Sequence, residues 1–171
     1  MNPIDAASQG ALAALRLAAA IGALLIAFVA LVALANAAVG TLGSWVGLPD
    51  LTLQRLLGLA FAPLALLMGI PFSEATRVGS LLGVKTVLNE FLAYADLARL
   101  VAQGDLSHRS AVIASYALCG FANFGSLAIL LGGVGGMAPS RRPELASLGL
   151  RSILAGTLAT LMTGCVAGLL L

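Results

Sequence analysis

The chain has 171 residues, is 60% hydrophobic and only 9% charged, and carries a formal net charge of +2. Its mean hydropathy is +1.05. A soluble domain carries about 25% charged residues, so this composition excludes an ordinary soluble enzyme and points to a multi-pass membrane protein; the small charge, the lack of a basic run and the 5% aromatic content exclude nucleic acid as a partner.

The start, Met1-Asn2-Pro3-Ile4-Asp5, has no basic n-region, so targeting is expected from the first membrane helix itself. No charge occurs between Arg16 and Asp50, and Leu17 to Val39 is long enough to span, since a membrane helix needs about 20 apolar residues. Ala-rich Ile4 to Leu15 extends this helix into the interface, Gly40-Thr41-Leu42-Gly43 is expected to end it, and Trp45 suits a headgroup position. Residues 1–46 thus read as one long scaffold transmembrane helix. After a break at Gly47-Leu48-Pro49-Asp50, residues 51–70 are apolar but carry Arg55 and Pro63, which predicts an interfacial or surface-packed helix.

Residues 73–103 are the odd region. Ser73 can cap a helix that runs toward Leu88 past Lys85, and a second helix runs from about Phe91 to Val101. Each is well short of a span at about 1.5 Å per residue. Two half-length helices meeting at a polar tip predict a re-entrant hairpin, with Asn89 and Glu90 at the tip; such backbone survives at membrane depth only when buried in protein or facing water. Residues 107–138 are uncharged from Ser110 on, and Gly120, Asn123, Gly125 and Ser126 interrupt them near the middle. That pattern predicts a broken transmembrane helix whose break lines a cavity, loosened at its far end by Gly132 to Gly136. Arg141, Arg142 and Arg151 mark a basic, cytoplasmic loop. The last span is expected over 152–171, where Ser152, Gly156, Thr160, Gly164 and Gly168 form a small-residue ridge suited to close packing.

A carboxylate at membrane depth is costly, about 2.5–3.5 kcal/mol for Asp, Lys or Arg on insertion scales, and persists because it pairs or binds something. Glu90 therefore either grips a polar solute or forms a structural ion pair with Lys85 or Arg77. Asn123 either contacts that solute or joins helices, Ser126 either contacts the solute or bonds the backbone, and Phe121 taken by itself reads as apolar packing. Lys85 is structural or tunes Glu90. Cys119 and Cys165 read as small buried hydrophobes. No His/Cys cluster has metal-ligand spacing, and no nucleophile–base pair indicates an enzyme.

The blocks Lys85-Thr86-Val87-Leu88-Asn89-Glu90-Phe91 and Tyr116-Ala117-Leu118-Cys119-Gly120-Phe121-Ala122-Asn123-Phe124 resemble the concentrative nucleoside transporter family. So do Pro63 to Pro71, Pro139-Ser140-Arg141-Arg142 and Ala155 to Ala159, all in family order. The chain resembles the second half only. The resemblance implies an all-α membrane protein, one half of an inverted-repeat transporter, with 51–171 as its transport-domain part. It implies sodium- or proton-coupled symport of nucleosides such as uridine or adenosine by a homotrimer in the cell (inner) membrane, the transport domain moving like an elevator. By the same resemblance Glu90, Asn123 and Ser126 contact the ribose, and Phe121 packs against the base. The coupling-ion site is expected in the missing N-terminal half, so this chain is assigned no metal ligand and no cofactor, and a separate or upstream polypeptide is expected to complete it. The alternative is a non-transporting membrane fragment or subunit.

Overall fold

The computed structural model describes residues 2–45, 47–48 and 50–171, without the side chains at 24, 25, 28 and 132–137. Met1 and Val46 of the expected scaffold segment, and Pro49 of the expected break, lie outside the described residues. The described residues form helices and no strand: α1 (Pro3–Trp45), α2 (Leu53–Leu67), α3 (Phe72–Val87), α4 (Glu90–Ala102), α5 (His108–Leu118), α6 (Phe124–Met137), a 3-10 turn (Pro139–Arg141) and α7 (Arg142–Leu170). Helices long and apolar enough to cross a membrane lie over Pro3–Ala23 in α1 and over Pro139–Leu170.

At 43 residues, α1 is about 65 Å long. It runs past the expected stop at Gly40–Gly43 to Trp45. Gly43 instead serves close approach: a Cβ there would sit 2.8 Å from that of Leu51. The amide of Asn36 has a defined task. Its Oδ1 accepts from the Leu53 N–H at 2.8 Å, supplying a partner for one of the orphan donors that open α2. Thr52 caps the same end, accepting from the Arg55 N–H.

The chain turns by 115° between α2 and α3. Gly69 makes the turn at φ +87°, a conformation that glycine adopts without steric cost, while the Ile70 N–H returns to the Ala65 carbonyl at 3.2 Å. The two helices then touch nearly backbone to backbone. A Cβ at Gly79 would lie 2.6 Å from the Ala62 nitrogen and 2.6 Å from the Gly58 oxygen. The predicted cap of α3 is corrected here. The helix opens at Phe72 behind Pro71, with no side-chain cap, and Ser73 is already helical. The fixed φ of proline pre-sets the helix entry instead.

With 16 and 13 residues, α3 and α4 are about 24 and 20 Å long, too short to cross about 30 Å of hydrocarbon. Ser107 caps α5, and its hydroxyl and N–H both donate to the Glu74 carboxylate, at 3.0 and 3.2 Å. That bond fastens the start of α3 to the start of α5. α6 continues as helix through Gly132–Gly136 to Met137, so the backbone there keeps its helical form. A second correction concerns the basic loop: α7 begins at Arg142, ten residues before the expected span, so Arg142 and Arg151 are helical. Pro143 is tolerated because it falls in the first turn, where its missing N–H is an orphan anyway.

The small-residue ridge of α7 seats the broken helix. Gly168 and Gly164 face Ile113 and Met68, Gly164 also meets Ala117, and Gly156 faces Ala122. Arg109 reaches the last turn of α7 and donates to the Gly168 carbonyl at 2.7 Å, a favourable place for a cation at a helix C-terminus. Val78, Leu81, Ile113, Ala117 and Leu118 form the centre of the core. It lies where α3 packs on α5, extended by Ala65 and Met68 at the end of α2 and flanked by Leu161 and Cys165 of α7.

Candidate functional site

Two interruptions build the site. The first is Leu88–Asn89, between α3 and α4. Asn89 is extended, and its Oδ1 caps α4 by accepting from the Leu92 N–H at 2.9 Å. Glu90 is the first residue of α4. The second is Cys119–Asn123, between α5 and α6. Asn123 caps α6: its Oδ1 accepts from the Ser126 N–H at 2.7 Å, and its carbonyl accepts from the Leu127 N–H. Gly120 is required here, because a Cβ would meet Thr160 Cγ2 at 2.6 Å.

The two interruptions meet. Asn123 Nδ2 donates to Glu90 Oε2 at 2.6 Å, a charge-assisted length. The positive ends of two half-helices, α4 and α6, therefore converge on one carboxylate. Helix N-termini favour negative charge, and discontinuous membrane helices present such ends to polar groups of a solute. Glu90 Oε1 has no partner among the described residues and remains an open acceptor. Asn89 Nδ2 is a buried donor that likewise lacks a partner there.

The four predicted residues fall as follows. Glu90 is half-buried and Asn123 fully buried, in contact. Ser126 is buried one turn further on and bonds Asn123 through its backbone N–H. Phe121 stands on the break and is 75% exposed, so it is not core packing within this chain. Phe121, Asn123 and Ser126 line one cavity of about 280 Å³ with Leu127, Ser152 and Ile153. That volume is just below the about 300–1,000 Å³ of small-molecule pockets. Glu90 makes no direct salt bridge among the described residues. Arg77 pairs with Asp105 at 3.6 Å, and Lys85 donates to Thr160 and Ala117. Among the described residues, no group of three His, Cys, Asp or Glu could hold a metal ion.

Sequence reasoning did not single out Asn89 as a cap with a spare donor, nor Tyr94, whose hydroxyl donates to the Ser115 carbonyl at 2.7 Å and ties α4 to α5. The Asn-Glu order at the hairpin tip was the available signal for the first. Nothing local pointed to the second.

Two half-length helices and an interrupted helix, joined through a carboxylate and an amide at their tips, lie in a chain whose long apolar helices are those of a multi-pass membrane protein. The family model for the C-terminus of Na+ dependent nucleoside transporters matches residues 1–168, and the chain belongs to this family, the concentrative nucleoside transporters. It is 49% identical to the uncharacterized transporter YutK of Bacillus subtilis, over 98% of this chain and 41% of that protein. It is 42% identical to solute carrier family 28 member 3 of Mus musculus, over 99% of this chain and 26% of that protein. Its fold superposes on CNTnw, in an inward-facing substrate-bound state, with a TM-score of 0.89 at 49% identity, covering 99% of this chain and 41% of that one. The chain thus spans less than half the length of these relatives.

Proposed function

We propose that the chain is the nucleoside-binding C-terminal part of a cation-coupled nucleoside symporter, and that it works with an N-terminal part carried on the same or a separate polypeptide. The nucleoside sits between the tip at Asn89–Glu90 and the break at Cys119–Asn123. The observation that carries this reading is the 2.6 Å bond from Asn123 to Glu90. It holds the Glu90 carboxylate at the meeting point of two helix N-termini, with one oxygen still open. A ribose offers two adjacent hydroxyl donors, which suits an acceptor-only group. Asn123 positions the carboxylate, Ser126 adds a hydroxyl on the cavity wall, and exposed Phe121 offers its face to the base. The cavity of about 280 Å³ lined by Phe121, Asn123 and Ser126, but not by Glu90, adjoins that carboxylate, and the N-terminal part supplies the opposite wall and the coupling-ion site, for sodium or a proton. In this reading α1 is the scaffold of a homotrimer, its Pro3–Ala23 stretch bare within the chain, and α2 to α7 form the part that moves.

The test is Glu90→Gln in the complete transporter. Uptake of labelled uridine or adenosine by membrane vesicles is expected to fall to background while the variant still inserts into the membrane. Uptake at the wild-type level would refute the assignment.

A further inference from the structure

Lys85 is the largest fully buried side chain among the described residues, at 1% exposure, although it lies in the last turn of a half-length membrane helix. A buried ammonium needs compensation. Its Nζ donates to Thr160 Oγ1 on α7 at 2.9 Å and faces the Ala117 carbonyl on α5 at 3.5 Å. Thr160 in turn donates its own proton to the Thr157 carbonyl at 3.0 Å, so it presents a lone pair to the lysine. Both neighbours are therefore acceptors, as an ammonium with three donors requires. Ala117 lies in the last turn of α5, where carbonyls lose their helical partners. The negative end of α5 thus faces the Lys85 ammonium, just as the positive ends of α4 and α6 converge on Glu90. In broken membrane helices, such C-terminal ends and unwound carbonyls are where diffusible cations bind.

We infer that Lys85 is a positioning residue for the solute site: a tethered cation in the place of a diffusible one, locking the hairpin to the break and to α7 and so holding Glu90 against Asn123. Three elements meet at its ammonium, and two of them carry the interruptions. The glycine at position 120 lets the break settle onto Thr160, so the lock is built from residues far apart in sequence. The inference rests on the nucleoside reading of Glu90 and extends it to a residue outside the site's lining.

The test uses equilibrium binding of labelled uridine to the purified complete transporter. Lys85→Met keeps the apolar stem and removes the charge; it is expected to raise the Kd about tenfold with the number of binding sites unchanged. Glu90→Gln alone is expected to raise it at least thirtyfold, and the double variant to bind no worse than Glu90→Gln, because Lys85 acts through Glu90. Additive losses, or a fall in site number at unchanged Kd, would overturn the inference and leave Lys85 a purely structural residue. Should Lys85→Met not fold, Thr160→Val decides: a rise of about threefold in Kd supports the lock, and a wild-type Kd overturns it. If Glu90→Gln binds like wild type, the site reading itself fails. A loss in Glu90→Gln beside a wild-type Lys85→Met sinks the inference alone.

Discussion

The bond between Asn123 and Glu90 makes a prediction that can be worked from its geometry. Asn123→Asp keeps the shape of the side chain and its Oδ1 cap on α6 but turns the donor into a second acceptor facing Glu90. Two unit charges 2.6 Å apart repel by about 6 kcal/mol at an effective dielectric of 20. This is an upper limit, because the two carboxyls can share a proton or rotate apart. The lost charge-assisted bond adds about 1.5–3 kcal/mol. Asn123→Ala removes the bond and the cap without adding charge, so it should cost less, about 2–4 kcal/mol from those two terms. Pairing Asn123→Asp with Glu90→Gln reverses the roles: the new amide donates to the new carboxylate. The double variant should recover most of the stability lost in Asn123→Asp, a coupling of at least 2 kcal/mol, while still failing to bind uridine normally. Thermal unfolding of the four proteins in detergent, with uridine binding measured alongside, closes the cycle. Additive losses in the double variant would show that the two side chains do not act as a pair.

Two further outcomes follow from the packing and the site. Gly79→Ala should destabilise the protein by about 2 kcal/mol, an overpacking cost of about 3 kcal/mol less about 1 kcal/mol of helix propensity, because the atoms 2.6 Å away are backbone and cannot step aside. Gly10→Ala, with nothing within 4 Å, should be neutral or slightly stabilising, so a matched loss in both unfolding curves would contradict the backbone-contact argument. Phe121→Ala should leave the unfolding temperature within a degree of wild type, since the ring is 75% exposed, yet weaken uridine binding by about three- to tenfold, as loss of one base–aromatic stack of about 1 kcal/mol implies; a large stability loss without an affinity change would make it a packing residue.

The helical hairpin and the broken helix were legible because their signals are local. Lys85 to Phe91 and Cys119 to Ser126 interrupt apolar runs with polar groups and glycine, and the resulting segments are too short to span. What escaped was set by long-range contact or by competing end signals. Ser73 is a good cap by type, but Pro71 already fixes the backbone ahead of Phe72. Arg142 and Arg151 read as loop residues by charge, yet Pro143 at a first-turn position starts α7 there. The approach of α2 to α3 depends on Gly58 meeting Thr76, Gly79 meeting the backbone of Gly58 and Ala62, and Gly83 meeting Leu57, which spacing within one helix does not reveal. The partner of Lys85 lies 75 residues away. In the sequence its charge could equally have answered Glu90, and only the fold shows that the C-terminal end of α5 and Thr160 receive it.

In the proposed site the Glu90 carboxylate grips the ribose hydroxyls of a nucleoside. The most direct measurement compares uridine with 2′,3′-dideoxyuridine for binding to the complete transporter and to its Glu90→Gln variant. Wild type is expected to prefer uridine by about thirtyfold or more, the worth of about 2 kcal/mol in bonds to a charged acceptor, and the variant to lose most of that preference. Equal discrimination in both proteins would place the hydroxyl recognition elsewhere and contradict the claim.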